Sequence, residues 1–183
     1  MSFTPEPSTA LAAYYAQTQP RIGEVVSRRS LGMLDAVTIG RYAMTIGAAD
    51  PSHYDPAAAR AAGHPDVLAP PNLLAAIAEW GIGTPEADLQ PDGTPHDGDM
   101  PLGDGELGLR VMGAGEEMEL VNPVVAGTEL VVETTLEAVT PKQARSGPCI
   151  FVTTLNTFAA KDGTVLNRNR RTIVLRNPLQ ESS

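Results

Sequence analysis

A chain of 183 residues is long enough for one domain with a single apolar core, and its lone cysteine, Cys149, excludes a disulfide within the chain. The net charge of -9 argues against general nucleic-acid binding, because a polyanion would be repelled at long range. The sequence shows neither a secretory leader nor a long apolar run. We therefore expect one cytoplasmic domain over 1–183 with no membrane partner.

The basic residues concentrate near the end of the chain. From Lys142 onward seven bases accompany two acids, a local net charge of +5, so the remainder carries -14. A basic patch on an acidic protein suits a small anionic ligand, and the phosphates of coenzyme A qualify. The same residues would equally suit a solvated strand face, since Lys and Arg are usually exposed.

The first half of the chain predicts two helices and one strand. An N-terminal extension, residues 1–20, contains a predicted helix over 8–19 that is capped by Ser8 and ends before a proline. A strand is expected within 24–34. Apolar residues at helical spacing then predict a second helix over 35–46, which leads into an irregular loop.

That loop presents His53 between two aspartates, Asp50 and Asp55. Asp55 precedes a proline, and this pair favours the start of a short helix, which ends at Gly63. A second loop leads to residues 71–80, which are apolar on nearly every side. A helix of that composition belongs in a core.

The second half predicts a long loop and a β-meander. Residues 81–105 are rich in Gly, Pro and Asp and predict a loop; His96 within it has no partners at metal-ligand spacing, so no metal is expected. Residues 141–148 predict a turn between strands. The predicted strands are 107–121, 128–139, 149–159 and 165–176. Together these elements predict an α+β fold.

Several short segments, in this order, carry a resemblance to a known family. They are Tyr42-Ala43, Gly47, Asp50-Pro51-Ser52-His53-Tyr54-Asp55, Ala57-Ala58-Ala59-Arg60-Ala61-Ala62-Gly63 and Ala69-Pro70-Pro71. The chain resembles the N-terminal, dehydratase-like half of the MaoC-like hot-dog family of enoyl-thioester hydratases and 3-hydroxyacyl-thioester dehydratases. The resemblance implies a single hot-dog fold, an antiparallel sheet wrapped around the central apolar helix, and no cofactor.

The resemblance also implies a catalytic pair and shows where this chain departs from it. Catalytic members of the family carry an aspartate and a histidine five residues apart on this loop, and the two orient the attacking water. His53 matches the histidine, but the residue five positions earlier is Ala48, which cannot accept a proton. Asp50 is a candidate substitute carboxylate, and it is also suited to shaping the turn before Pro51.

The N-terminus of the apolar helix is the predicted place of contact with the thioester oxygen. Pro70 and Pro71 have no N–H, so the first backbone donors available there belong to Asn72 and Leu73. Asn72 is equally suited to a structural role, in which it only satisfies the hydrogen bonding of its own turn. Tyr54, beside the histidine, is a further candidate for substrate binding.

The leading functional hypothesis is a hydro-lyase subunit acting on an acyl-CoA or another acyl thioester. It would be either a heterodimer with a catalytic MaoC-like subunit or a homodimer that uses His53 and another carboxylate. Small residues on the apolar helix, Ala75, Ala76 and Ala78, leave room for a bulky or long acyl chain. A noncatalytic acyl-CoA-binding protein and a hot-dog thioesterase are the alternatives.

Overall fold

The computed structural model describes residues 9–77, 85–89 and 107–178. Most of the predicted 81–105 loop, including His96, lies outside these residues. Within it the structure describes one short 3₁₀ turn, Glu86–Asp88.

The N-terminal helix begins later than predicted. Helix α1 spans Ala10–Thr18, and its cap is Thr9, whose Oγ1 accepts a hydrogen bond from the N–H of Ala12 at 3.2 Å. The prediction of Ser8 as the cap is therefore wrong by one residue, since both residue types are good caps and only the register of the first turn selects between them. A 3₁₀ turn, Gln19–Arg21, follows the helix.

The first strand and second helix form where they were expected. Strand β1 spans Val25–Met33, and helix α2 spans Ala36–Thr45. The Asp35 carboxylate caps α2 by accepting from the N–H of Thr38 at 2.8 Å. Gly47 follows with φ of 68°, a left-handed conformation that glycine adopts without steric cost.

One five-stranded antiparallel sheet carries the fold. Its order is β1-β3-β4-β5-β2, so β1 and β2 form its two edges. The four later strands are β2 Arg110–Leu120, β3 Glu129–Ala144, β4 Gly147–Ala160 and β5 Val165–Arg176. The observed α+β class and the hot-dog arrangement agree with the prediction.

The predicted turn over 141–148 is wrong. Strands β3 and β4 continue through it, with Pro141 paired to Ile150, and the turn is confined to Arg145 and Ser146. Toward the C-terminal end of β3, the pairing with β1 and the residues just before it ends at Leu136. Pro141 therefore lies where β3 has no second neighbour, and its missing N–H costs no bond to β1.

Two apolar clusters lie on one face of the sheet. Helix α4, Leu73–Ile77, contributes to the first cluster, in which Leu73 and Leu74 pack with Leu130, Val132 and Phe158. The prediction of a helix over 71–80 is thus confirmed for its described part.

Helix α1 covers the second cluster. Leu11 and Tyr14 pack there against Leu136, Ile150 and Leu175. Burial raises the pKa of the Tyr14 hydroxyl above its ordinary range.

Part of the predicted basic patch is paired with glutamates. Arg168 pairs with Glu119 at 2.8 Å, and Arg170 binds both Glu117 at 3.1 Å and Glu137 at 2.6 Å. These pairs lie on the outer face of the sheet, opposite the face that carries Phe158. Because their partners come from β2 and β3, the C-terminal strand does not present an excess of positive charge there.

Candidate active site

A short, well-bonded turn presents His53. The Asp50 carboxylate accepts from the N–H of Ser52 at 2.9 Å and caps the 3₁₀ turn Pro51–His53. This hydrogen bond from the Ser52 backbone is the main cause that lowers the pKa of Asp50 below its ordinary value. The carboxylate is therefore a stable anion and a hydrogen-bond acceptor at neutral pH.

The chain on either side of this turn fixes its position. Helix α3, Pro56–Ala61, follows and is capped by Asp55, which accepts from the N–H of Ala57 at 2.8 Å. The N–H of Leu68 donates to the carbonyl of Ser52 at 2.9 Å, and this bond ties the turn to the segment that leads to α4.

His53 is buried and held in one orientation. Its side chain is 7% exposed, and Nδ1 lies 2.7 Å from the carbonyl oxygen of Leu68. A carbonyl can only accept, so Nδ1 carries the proton of this bond. In the neutral ring Nε2 is then unprotonated and able to accept a proton.

His53 lines a cleft of about 450 Å³. The cleft lies beside the start of α4 and is bounded on its far side by the segment that follows β2. Its lining residues are Asp50, His53, His64, Leu68, Ala69, Pro70, Pro71, Leu120, Val121, Asn122, Pro123, Val124 and Asn167. The walls are mostly apolar with a few polar groups, as is usual for a small-molecule site.

Three polar residues of this cleft were not anticipated from the sequence: His64, Asn122 and Asn167. His64 lies within electrostatic range of Asp50, as His53 does, and each imidazolium favours the charged carboxylate. Asn167 is 3% exposed and its Nδ2 donates to the carbonyl of Pro71 at 3.2 Å. The position of Asn167 on the same strand face as Ile173 was the available signal, because a polar residue at an inward-facing position needs a partner.

The other predicted residues lie outside the cleft. The Tyr54 side chain is 43% exposed, and its hydroxyl donates to the carbonyl of Ala48 at 2.7 Å. Leu73 is buried, and its N–H donates to the carbonyl of Pro70 at 3.0 Å, so it is not the free donor that was predicted. Asn72 lines a separate groove of about 390 Å³. Of the predicted residues, the structure brings Asp50 and His53 together.

The described residues contain neither a metal site nor a membrane-spanning helix. No group of three or more His, Cys, Asp or Glu side chains there could hold a metal ion. No helix within 9–77, 85–89 or 107–178 is long and apolar enough to cross a membrane.

Comparison with known proteins extends these observations. Residues 21–168 match the family model described as the FAS1-like dehydratase domain region. A UPF0336 protein of Streptomyces coelicolor is 33% identical over 104 residues; the match covers 55% of this chain and 59% of that protein. The chain therefore spans less than two thirds of the length of this curated relative.

Solved structures show the same fold. The ChsH1-ChsH2 complex from Mycobacterium tuberculosis contains a chain that is 23% identical with a TM-score of 0.68, covering 95% of this chain and 93% of that one. The MaoC-like dehydratase from Rhodospirillum rubrum is 29% identical with a TM-score of 0.56, covering 86% and 94%. The chain therefore belongs to the MaoC-like hot-dog dehydratase family.

Proposed function

We propose that the chain is a half-site subunit of a hydro-lyase that adds water to, or removes it from, a 2-enoyl thioester such as an acyl-CoA. One observation carries this proposal. His53 lines a cleft with Nδ1 bonded to Leu68, which leaves Nε2 as a proton acceptor.

The chemistry assigned to His53 follows from this tautomer. In hydration Nε2 takes a proton from water, the oxygen adds to the β-carbon of the enoyl group, and the resulting imidazolium returns that proton to the α-carbon. Asp50 stabilises the imidazolium that forms, because its lowered pKa keeps it negatively charged. Dehydration follows the same steps in reverse.

The cleft of this chain is incomplete as a hydratase site. Ala48, at the position of the family aspartate, does not line it. The backbone of the α4 start supplies few donors for the thioester oxygen, because Pro70 and Pro71 have no N–H and that of Leu73 is already bonded. We therefore assign full activity to an assembly with a second, catalytic hot-dog chain, in which this subunit also shapes the acyl pocket.

Strand β2 is the surface on which we expect that second chain to pair. It is an edge strand, and nearly all of its residues are exposed. Exposed apolar side chains lie along it and just after it, at Val111, Met112, Leu120 and Val121. An exposed edge with apolar side chains favours addition of a strand from a copy of the chain or from a relative.

The experiment follows the absorbance of the conjugated thioester. The purified chain is incubated with crotonyl-CoA and with longer 2-enoyl-CoAs, alone and with a MaoC-like candidate partner. We expect little activity alone, activity on mixing, and a loss of that activity in His53→Ala. A mixture that is active but insensitive to His53→Ala would remove His53 from the chemistry.

The same assay separates the alternatives. Activity of the chain alone that is lost in His53→Ala would indicate a homodimeric enzyme. Release of free thiol would indicate a thioesterase, and binding of acyl-CoA without turnover in any mixture would indicate a noncatalytic binding protein.

The missing aspartate offers a sharper test with a matched control. Ala48→Asp restores the family residue, whereas Ala49→Asp adds the same charge at the next, exposed position. We expect hydration by the chain alone to rise only in Ala48→Asp. A gain in both variants, or in neither, would contradict the assigned geometry.

A further inference from the structure

The lining of the His53 cleft changes from buried to exposed along its depth. The buried lining residues are His53, Ala69, Pro70, Val124 and Asn167. Asp50 and Asn122, which also line the cleft, are exposed, and His64 is half-buried. His53 therefore lies deeper in the cleft than His64. A ligand whose acyl end enters first would have its β-carbon at the deeper histidine and its thioester group, two bonds away, nearer the rim.

The end of helix α3 fixes the backbone of His64. Gly63 has φ of 91°, and the N–H of His64 donates to the carbonyl of Ala59 at 2.9 Å, which closes the last turn of the helix. The imidazole lines the cleft, and none of the described residues is hydrogen-bonded to it. The ring is therefore held at the cleft by its backbone, and its N–H is available to a ligand.

Other N–H groups of the cleft already donate to carbonyls. Those of the Leu68 and Ala69 backbone are bonded in this way. The side-chain amides of Asn122 and Asn167 also donate to carbonyls, at 2.7 Å and 3.2 Å. An imidazole carries one N–H when neutral and two when protonated, so His64 offers a donor in either state.

Asp50 connects the two histidines of the cleft. Its carboxylate lies within electrostatic range of both His53 and His64, and all three residues line the same cavity. The two imidazoles can therefore contact one ligand from different depths.

We propose that the imidazole of His64 donates a hydrogen bond to the thioester oxygen of the ligand. This inference rests on the proposed function and supplies a donor that the start of α4 lacks. When the oxygen of water adds to the β-carbon, the π electrons move through the α-carbon to the thioester oxygen, which becomes an enolate. The N–H of His64 stabilises this negative charge and keeps its own proton. The electron pair returns to the α-carbon when His53 delivers its proton there.

The first test measures kcat and KM for hydration of a 2-enoyl-CoA by the full chain mixed with its MaoC-like partner. We expect His64→Leu to lower kcat by about tenfold with little change in KM, because the donor acts on charge that develops in the transition state. His64→Gln keeps an N–H donor and does not titrate, so its kcat should lie closer to that of the parent than to that of His64→Leu.

A matched control and two outcomes decide this test. Gln143→Leu replaces a polar side chain at an exposed position of the β3–β4 hairpin and should keep the parent kcat. Equal kcat values for the parent and His64→Leu, or for the two His64 variants, would overturn the inference. Urea unfolding midpoints verify that each variant is folded.

The second test detects the contact without turnover. A hydrogen bond to the carbonyl oxygen of a conjugated thioester draws electron density toward that oxygen and shifts the absorbance to longer wavelength. Cinnamoyl-CoA is the probe, because its extended conjugation disfavours hydration. We expect the shift on binding to the mixtures that contain the parent or His64→Gln, and its loss on binding to the mixture that contains His64→Leu.

The outcomes separate this inference from the proposed function. Bound cinnamoyl-CoA with the same absorbance in the parent and His64→Leu mixtures would overturn the inference alone. Neither binding nor turnover of any 2-enoyl-CoA would overturn the proposed function as well.

Discussion

The His53 cleft and the outer face of the sheet use charge in opposite ways. The cleft holds one carboxylate and two imidazoles among apolar walls, with the His53 ring fixed by a single backbone bond. The outer face holds more charges, but Arg168 and Arg170 are paired with glutamates and exposed to solvent. The dense group of charges thus includes a surface network of ion pairs, whereas the single histidine lies in the cleft.

The charges of the cleft and of the outer face differ in effect because they differ in exposure to water. Exposed ion pairs are screened by water and contribute little, whereas a proton acceptor in a shielded, mostly apolar cleft keeps a fixed geometry toward its ligand. Substitutions in the cleft should accordingly change activity, and substitutions on the outer face should change almost nothing.

The largest effect is expected for His53→Gln. Glutamine can keep a hydrogen bond to Leu68 but cannot take a proton, so turnover by the active assembly should fall by about 10² to 10⁴. The measurement is kcat in the enoyl-CoA assay, with Arg168→Met as the outer-face control. A loss of kcat in the control as large as that in His53→Gln would contradict the assignment of activity to the cleft and not to the outer face.

Asp50→Asn should have the next largest effect. Asparagine caps a turn as well as aspartate does, so the turn is retained while the negative charge beside the imidazoles is removed. We expect kcat to fall by about tenfold, the order of one lost charge interaction near the imidazolium. Asp162→Asn, at the β4–β5 turn far along the sequence, provides the matched control and should leave kcat unchanged.

The pH dependence of stability should reflect three carboxylates that accept backbone hydrogen bonds. Hydrogen bonds from the backbone of Thr38, Ser52 and Thr164 lower the pKa values of Asp35, Asp50 and Asp162. A lowered folded-state pKa stabilises the fold above the unfolded value of about 4, and this stability is lost as the pH falls through the folded value.

Replacing all three aspartates with asparagine keeps a side-chain acceptor for each backbone N–H and removes the titration. Urea unfolding of the triple variant should therefore lose less stability between pH about 5 and pH about 3 than the parent chain does. An unchanged pH dependence would show that other carboxylates dominate acid unfolding.

The smallest effect is expected for Arg170→Met. Its guanidinium pKa is raised by hydrogen bonds to Glu137 and Glu117, yet the pair lies in solvent. The free energy of unfolding should change little, because an ion pair of an exposed side chain is screened by water. Phe158→Ala, on the inner face, should cost about 3–5 kcal/mol under the same conditions. A loss for Arg170→Met that approaches the Phe158 value would show that the outer network stabilises the fold.

The features that were predictable from the sequence are those whose chemistry is local. Asp35 and Asp55 cap helices through N–H groups two or three residues away, and Gly163 closes the hairpin between β4 and β5. Such bonds depend on neighbouring residues alone, so a single sequence contains the information.

The features that were missed depend on distant partners. Arg170 meets Glu137 across 33 residues, and the extension of β3 past Pro141 depends on where β1 stops pairing. The groove at Asn72 also forms only when α4 packs near β2 and β5. Local patterns cannot specify these contacts, because they follow from the order of strands in the sheet.

The exposed edge strand β2 couples the stability of this chain to binding of the proposed partner. Any chain that binds the folded form and not the unfolded form adds its binding free energy to stability by mass action. Under the proposed pairing at β2, the melting temperature of this chain should therefore rise with the concentration of the partner chain, and dilution should lower it.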